Sequence, residues 1–246
     1  MNEVVAWFTD PATWRDETGI PFRMLEHVAI SAVSLLAATL IALPLGLWIG
    51  HTGRGATAVI NIANIGRAVP SYAVIVMILP ISLAVSPELG LDLIPTFVAM
   101  VLLAIPPILV NAFAGLRSVD RDLLEAGRGM GFTEAAVLRD LELPLAAPVI
   151  IGGFRTATLN VIATATIGAV VGFGGLGRFI LDGRMIGVAG TGQLIGGAIL
   201  VSGLAIGIDL LLAFVQRAAA HRADRTMAPA RGLRELSEVP LPPGLP

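Results

Sequence analysis

The chain has no cysteine and no lysine, one tyrosine and three tryptophans, and only 14% of its 246 residues are charged. Without cysteine there can be no disulfide, thiolate nucleophile, iron–sulfur cluster or cysteine-ligated zinc. The histidines, His27, His51 and His221, are too scattered to suggest a metal site, so neither a metal nor another cofactor is expected. The lack of lysine excludes a P-loop, whose lysine reaches the phosphates. A net charge of −2 and a pI of about 5.9 leave no basic surface for nucleic acid. No Ser-His-Asp set and no carboxylate dyad is visible, which argues against an enzyme. The scarcity of charge itself excludes an ordinary water-soluble domain, which carries about 25% charged residues.

What fills the chain instead is apolar sequence, 55% of all residues, with a mean hydropathy of +0.84. It lies in long blocks at 25–50, 56–85, 94–116, 145–171 and 194–215. Nearly uncharged runs of 18 or more residues are membrane spans. The fold class is therefore an all-α integral membrane protein with about five transmembrane helices. The first block would reach about 39 Å as a helix, enough to cross. Glu3, Asp10, Asp16 and Glu17 outweigh Arg15 and Arg23 ahead of it, unlike the basic start of a cleavable signal peptide, so an uncleaved helix is expected. Asn61, Asn64, Arg67 and Pro70 interrupt the second block, and the proline predicts a kink or break there.

Basic residues near span ends are retained on the cytoplasmic side. With the N-terminus outside, Arg54, Arg117, Arg121, Arg128, Arg139, Arg217, Arg222, Arg225, Arg231 and Arg234 fall inside. Only Arg15, Arg23, Arg178 and Arg184 then fall outside. This orientation puts residues 1–24 outside as an N-terminal segment, the membrane domain at 25–217, and a cytoplasmic tail at 218–246 whose last stretch is too rich in proline to fold.

The charged internal segment lies between the third and fourth blocks. Asp120 can cap a first short helix, which Gly127 or Gly129 can end. Thr133 can cap a second, and Pro144 can stop or re-angle the chain before the fourth span. Two short helices at an angle would form a knob presenting Leu123, Leu124, Met130 and Phe132 among charges, suited to a groove on a partner or simply a solvated connection.

Glu125-Ala126-Gly127, then Gly131, then Leu141-Glu142-Leu143-Pro144 resemble the EAA loop of bacterial ABC-importer permeases, with Gly127 standing for Ala and Leu141 for Ile. The resemblance implies a type I importer permease fold in which residues 118–143 hold a coupling helix. Glu125, Ala126, Gly127, Gly131, Leu143 and Pro144 would then meet a cytoplasmic ABC ATPase that hydrolyses the ATP, Glu125 being held by charge-assisted hydrogen bonds and Gly131 permitting the turn or a close approach. Further segments are similar to the osmoprotectant branch, which takes up glycine betaine, carnitine and choline. They are Ala42-Leu43-Pro44-Leu45-Gly46, Val69-Pro70-Ser71, Pro106 to Asn111, and Gly172-Phe173-Gly174-Gly175-Leu176-Gly177. Methionine permeases share the five-span plan and the loop, and are the alternative. The resemblance implies a bacterial cell membrane, a second permease copy or paralogue, and an extracytoplasmic solute-binding protein. An aromatic cage for a quaternary ammonium belongs more naturally on that separate protein, because this chain has so few tyrosines and tryptophans.

Asn61, Asn64, Arg67 and Ser71 fall within an arc of about 120° if their helix is continuous. With Tyr72 and Asn111 they are candidates for the translocation path, or they join helices and subunits; Asn111 could equally cap its helix. The glycines from Gly172 to Gly177 allow a sharp turn at the outer surface, and Glu26 and His27 are expected to reach the outer interface. Asp209, deep in the fifth block, needs a proton or a partner, and Arg155 or Arg67 lies at a compatible depth. A self-contained secondary transporter would use Asp209 and Arg155 as coupling groups, but the sequence shows no convincing internal repeat.

Overall fold

The computed structural model describes residues 2–15, 17–87 and 90–237, without the side chains of residues 60, 67 and 224–237. Ten α-helices follow one another among the described residues: α1 (Asn2–Thr9), α2 (Ile20–Thr52), α3 (Ala56–Ala68), α4 (Ser71–Val85), α5 (Leu93–Arg117), α6 (Arg121–Gly129), α7 (Glu134–Ala136), α8 (Leu143–Gly168), α9 (Gly177–Ile186) and α10 (Thr191–Ser237). Four helical stretches are long and apolar enough to cross a membrane, and the bent pair α3–α4 makes a fifth if it counts as one span. Large exposed side chains such as Leu36, Leu40, Trp48, Leu210 and Phe214 suit a protein solvated by lipid.

The centre of the bundle is α5, packed between α2 and α8. On α2, Ala38, Ala42, Gly46 and Gly50 recur every fourth residue and are all buried. A Cβ added to Gly46 would lie 2.7 Å from Ala112 Cβ and 2.8 Å from the Leu109 carbonyl oxygen. On the opposite side, a Cβ at Gly153 of α8 would lie 2.8 Å from the Pro107 carbonyl oxygen. Backbone thus meets backbone on both flanks of α5, and dispersion contacts at short range supply the association that lipid solvation does not.

The second apolar block is broken, as Pro70 leads one to expect, and its two halves meet at 94°. Val69 is extended (φ −87°, ψ 120°) because the ring of Pro70 disfavours a helical residue before it. Asn61 and Asn64 therefore sit on α3 whereas Ser71 and Tyr72 open α4, and the continuous polar arc expected from the sequence does not form. Two other expectations change. Helix α10 runs on to Ser237, into the last 18 residues, which the sequence suggested would be unfolded, since alanine and arginine favour helix; residues 238–246 lie outside the described residues. His27 is fully buried rather than interfacial, because the glycine turn folds over it. The Leu176 N–H donates to His27 Nδ1 (3.3 Å), and the Gly175 N–H donates to Glu26 Oε2 (2.6 Å), which also accepts from Arg23 Nη1 (2.8 Å). Gly172 and Gly175 hold φ of 103° and 69°, angles that favour glycine. The N-terminal α1 packs on the same end of α10, with Trp7 edge-on to Phe179 at 5.2 Å.

Replacing Gly46 with Val should force α2 and α5 apart and cost about 1–3 kcal/mol, as overpacking does. Gly207, where an added Cβ meets nothing within 4 Å, should accept Ala without loss. Thermal unfolding of the two purified variants in detergent checks the contrast.

Candidate functional site: the Ser118–Glu142 segment and the polar groups of the spans

Helix α6 starts where Asp120 Oδ1 accepts the Asp122 N–H at 3.0 Å. It ends in a Schellman turn: the Phe132 N–H donates to the Gly127 carbonyl (3.1 Å) and the Gly131 N–H to the Arg128 carbonyl (2.9 Å). Gly131 takes φ +90°, and an added Cβ would meet nothing within 4 Å. Glycine is needed there for its backbone angle, with no close approach inside this chain. Thr133 Oγ1 then accepts the Ala136 N–H at 3.3 Å and caps α7.

The second half of the segment differs from the expected short helix. One turn of α7 passes into a π-helix at Val137–Glu142, which runs directly into α8. The Leu143 N–H donates to the Leu138 carbonyl, five residues back. This wider winding brings Pro144 into the first turn of α8, where a missing N–H is tolerated, so the chain is neither stopped nor re-angled. The segment is one short helix laid against the N-terminal extension of a span. Leu124 turns inward onto Val119 and Val137, while Met130 and Phe132 are exposed at the tip.

Leu141 Cδ1 occupies the space beside Gly127, where an added Cβ would lie 2.7 Å away. Residues 127 and 141 are the two positions at which the sequence departs from the EAA pattern. They touch, so a smaller residue on α6 is matched by a side chain that reaches further from the π-turn.

Glu125 and Ala126 are exposed. Among the described residues no hydrogen bond or ion pair within the chain fixes Glu125; it borders a cleft of about 140 Å³ with Arg117, Arg121, Arg128, His51 and Glu142. The tie across the turn is made by Arg128, whose Nε and Nη2 donate to the two oxygens of Glu134 at 2.8 and 3.0 Å. Both side chains face solvent, so screening leaves the pair little weight in stability and it acts mainly by fixing orientation. His51, at the end of α2, places Nδ1 at 2.5 Å from Glu142 Oε2 and Nε2 at 3.4 Å from Glu134 Oε2. Sequence reasoning missed this network because His51 and Glu142 are 91 residues apart. The available signal was that each stands at the end of an apolar span from which the charged segment is reached.

In the spans, Asn111 lies in the interior of α5, so it is no cap; its Nδ2 donates to the Pro107 carbonyl at 2.8 Å. It borders a cavity of about 190 Å³ with Gly66, Pro106, Thr156 and Asn160. Thr156 and Asn160 are polar lining residues that the sequence reading did not single out. Asn61 and Asn64 are exposed, whereas Val59 and Ala63 form the buried face of α3. Tyr72 is exposed and Ser71 half-buried at the start of α4; the Arg67 side chain is outside the described residues. Asp209 of α10 accepts two parallel bonds from Arg155 of α8, at Nε and Nη2, the latter at 2.6 Å. Gln216 Nε2 adds a second polar link between these helices, donating to the Pro148 carbonyl at 3.0 Å.

Residues 42–224 match the family of binding-protein-dependent transport system inner membrane components. The chain belongs to that family. It is 38% identical over 218 residues to the choline transport system permease protein OpuBB of Bacillus subtilis, covering 89% of this chain and 92% of that one. It is 39% identical over 192 residues to the carnitine transport permease protein OpuCD of Listeria monocytogenes, covering 78% of this chain and 82% of that one. The osmoprotectant import permease protein OsmW of Salmonella typhimurium is 35% identical over 209 residues, with coverage of 85% and 91%. In fold, a chain of the MetNI methionine ABC transporter in an inward-facing form superposes with a TM-score of 0.71, at 24% identity, covering 86% of this chain and 99% of that chain. This inner membrane component is thus a transport subunit with the architecture of an ABC-importer permease.

Two expectations follow for it. Gly127→Ala alone should loosen the segment, and adding Leu141→Val, which withdraws the δ carbons, should restore it; a double-mutant cycle on thermal stability should give a coupling of about 0.5–3 kcal/mol. Asp209→Asn removes the charge that pairs with Arg155 and leaves that cation uncompensated in the membrane, which is destabilising. Folded protein recovered from membranes should fall with Asp209→Asn, and fall less when Asp209→Leu is combined with Arg155→Leu.

Proposed function

We propose that this chain is the permease subunit of an ATP-driven importer for osmoprotectants of the quaternary ammonium class, such as choline, glycine betaine and carnitine. The observation that carries the reading is the series of permeases named for these solutes, matched over more than three quarters of this chain. Residues 25–217 form the translocation domain. Residues 1–24 lie outside with the solute-binding protein, and residues 218–246 extend into the cytoplasm, the orientation favoured by the arginines. The Ser118–Glu142 segment docks on a separate ABC ATPase through its exposed Met130 and Phe132, with Glu125, Ala126 and Gly131 on or beside the contact and Gly127, Leu143 and Pro144 shaping it.

The exposed amides Asn61 and Asn64 support a second permease copy or paralogue, because a polar face turned away from its own bundle inside a bilayer requires protein or water to meet it. Asn111, Thr156 and Asn160 give the cavity beside Gly66 neutral amides and hydroxyls. Such a lining offers no fixed carboxylate to trap a permanent cation, as suits a path that must release its solute. The bidentate bond of Asp209 to Arg155 supports a structural role for that carboxylate over one as the coupling group of a self-contained carrier.

The test is uptake by proteoliposomes holding the permease with its ATPase and binding protein. Labelled choline, glycine betaine or carnitine should accumulate only with ATP on the ATPase side. Accumulation of methionine instead, or uptake driven by an ion gradient without ATP, would overturn the assignment.

A further inference from the structure

We propose that His51 is a positioning residue that clamps the docking segment to the cytoplasmic end of α2, so that displacement of the segment is passed into the first span. This rests on the reading that the segment meets an ATPase. Both imidazole nitrogens point at the segment, and at different parts of it. Nδ1 lies 2.5 Å from Glu142 at the end of the π-helix, and Nε2 lies 3.4 Å from Glu134, which in turn holds Arg128 of α6. One side chain from α2 thereby reaches the root of the segment directly and its short helix through one intermediary.

Two further features make the clamp mechanical. The first is burial. The Glu142 side chain is 3% exposed and that of His51 16%, so water does not readily replace the bond between them, and a carboxylate left unpaired at that depth is costly. The second is stiffness on one side with compliance on the other. Next to His51, Gly50 packs so closely on α5 that an added Cβ would meet Leu116 Cβ at 2.9 Å. Glu142, by contrast, closes a π-helical stretch, a rare winding found mostly as short interruptions of α-helices at functional sites, and in this proposal it is the side that yields. Movement of α6 therefore acts on the yielding π-turn, and His51 determines whether α2 follows.

The experiment uses the complete importer in proteoliposomes and compares wild type, His51→Leu, His51→Asn and Glu142→Gln. Three quantities are read: ATPase that co-purifies, ATP hydrolysed, and solute taken up per ATP. His51→Leu should retain the ATPase, because the exposed docking tip is untouched, yet lose about tenfold in solute per ATP, the scale of one hydrogen bond to a charged group. His51→Asn, whose amide nitrogen falls near the position of Nδ1, should recover most of the ratio. Glu142→Gln keeps the size and a hydrogen bond while removing the charge, and should fall between Leu and wild type; it also serves if His51→Leu does not fold. A purely structural role would lower hydrolysis and uptake together and leave their ratio unchanged, which would overturn the proposal. Asn no better than Leu would overturn it too. A wild-type complex that neither retains an ATPase nor shows ATP-dependent uptake would instead defeat the importer assignment on which the proposal rests.

Discussion

Helices in lipid are not pressed together by water, so what holds this bundle is how closely their backbones can approach. The rest of the architecture depends on that approach along α5, where Gly46 and Gly50 meet one flank and Gly153 the other. With α5 seated against α2 and α8, the 118–142 segment has little freedom, because it leaves the end of α5 and returns along the extension of α8. Its place under the bundle is inherited from packing in the membrane and refined by its own caps.

Two sets of polar groups in the spans differ in where their partners lie. One is satisfied within the chain: Arg155 with Asp209, Asn111 with a carbonyl of its own helix, and Gln216 with the carbonyl of Pro148. The other, Asn61, Asn64 and Asn160, is exposed on the isolated chain. The first set fixes this protein's own shape. The second is polar surface that the chain's own bundle does not cover.

Much of this was legible in the sequence because it is local. The apolar blocks, the caps at Asp120 and Thr133, the glycine turn at Gly131 and the break before Pro70 each follow from a few neighbouring residues. The 94° direction of that break was not legible, since it is set by how α3 and α4 lie on α5. The inward turn of His27 depends on a glycine segment 149 residues away, and the union of His51 with Glu142 on a contact across 91. The π-winding at Val137–Glu142 carries no composition of its own. The sequence placed Asp209 at a depth shared by two arginines, and only the helix arrangement brings Arg155 to it.

That last pair bears on how the protein is made. Arg155 precedes Asp209 by 54 residues, so at about 5–20 residues per second the ribosome leaves the arginine without its partner for roughly 3 to 11 seconds. During that interval the fourth span is an apolar helix with a bare cation near its middle. Its side chain must bend toward a headgroup or borrow water, and the helix stays in place only because the leucines, isoleucines and valines around the arginine outweigh it. The fifth span meets the mirror problem on entry, but finds a waiting counter-ion. The order of the two charges along the chain thus gives the fifth span, on entry, a counter-ion that the fourth lacks until then.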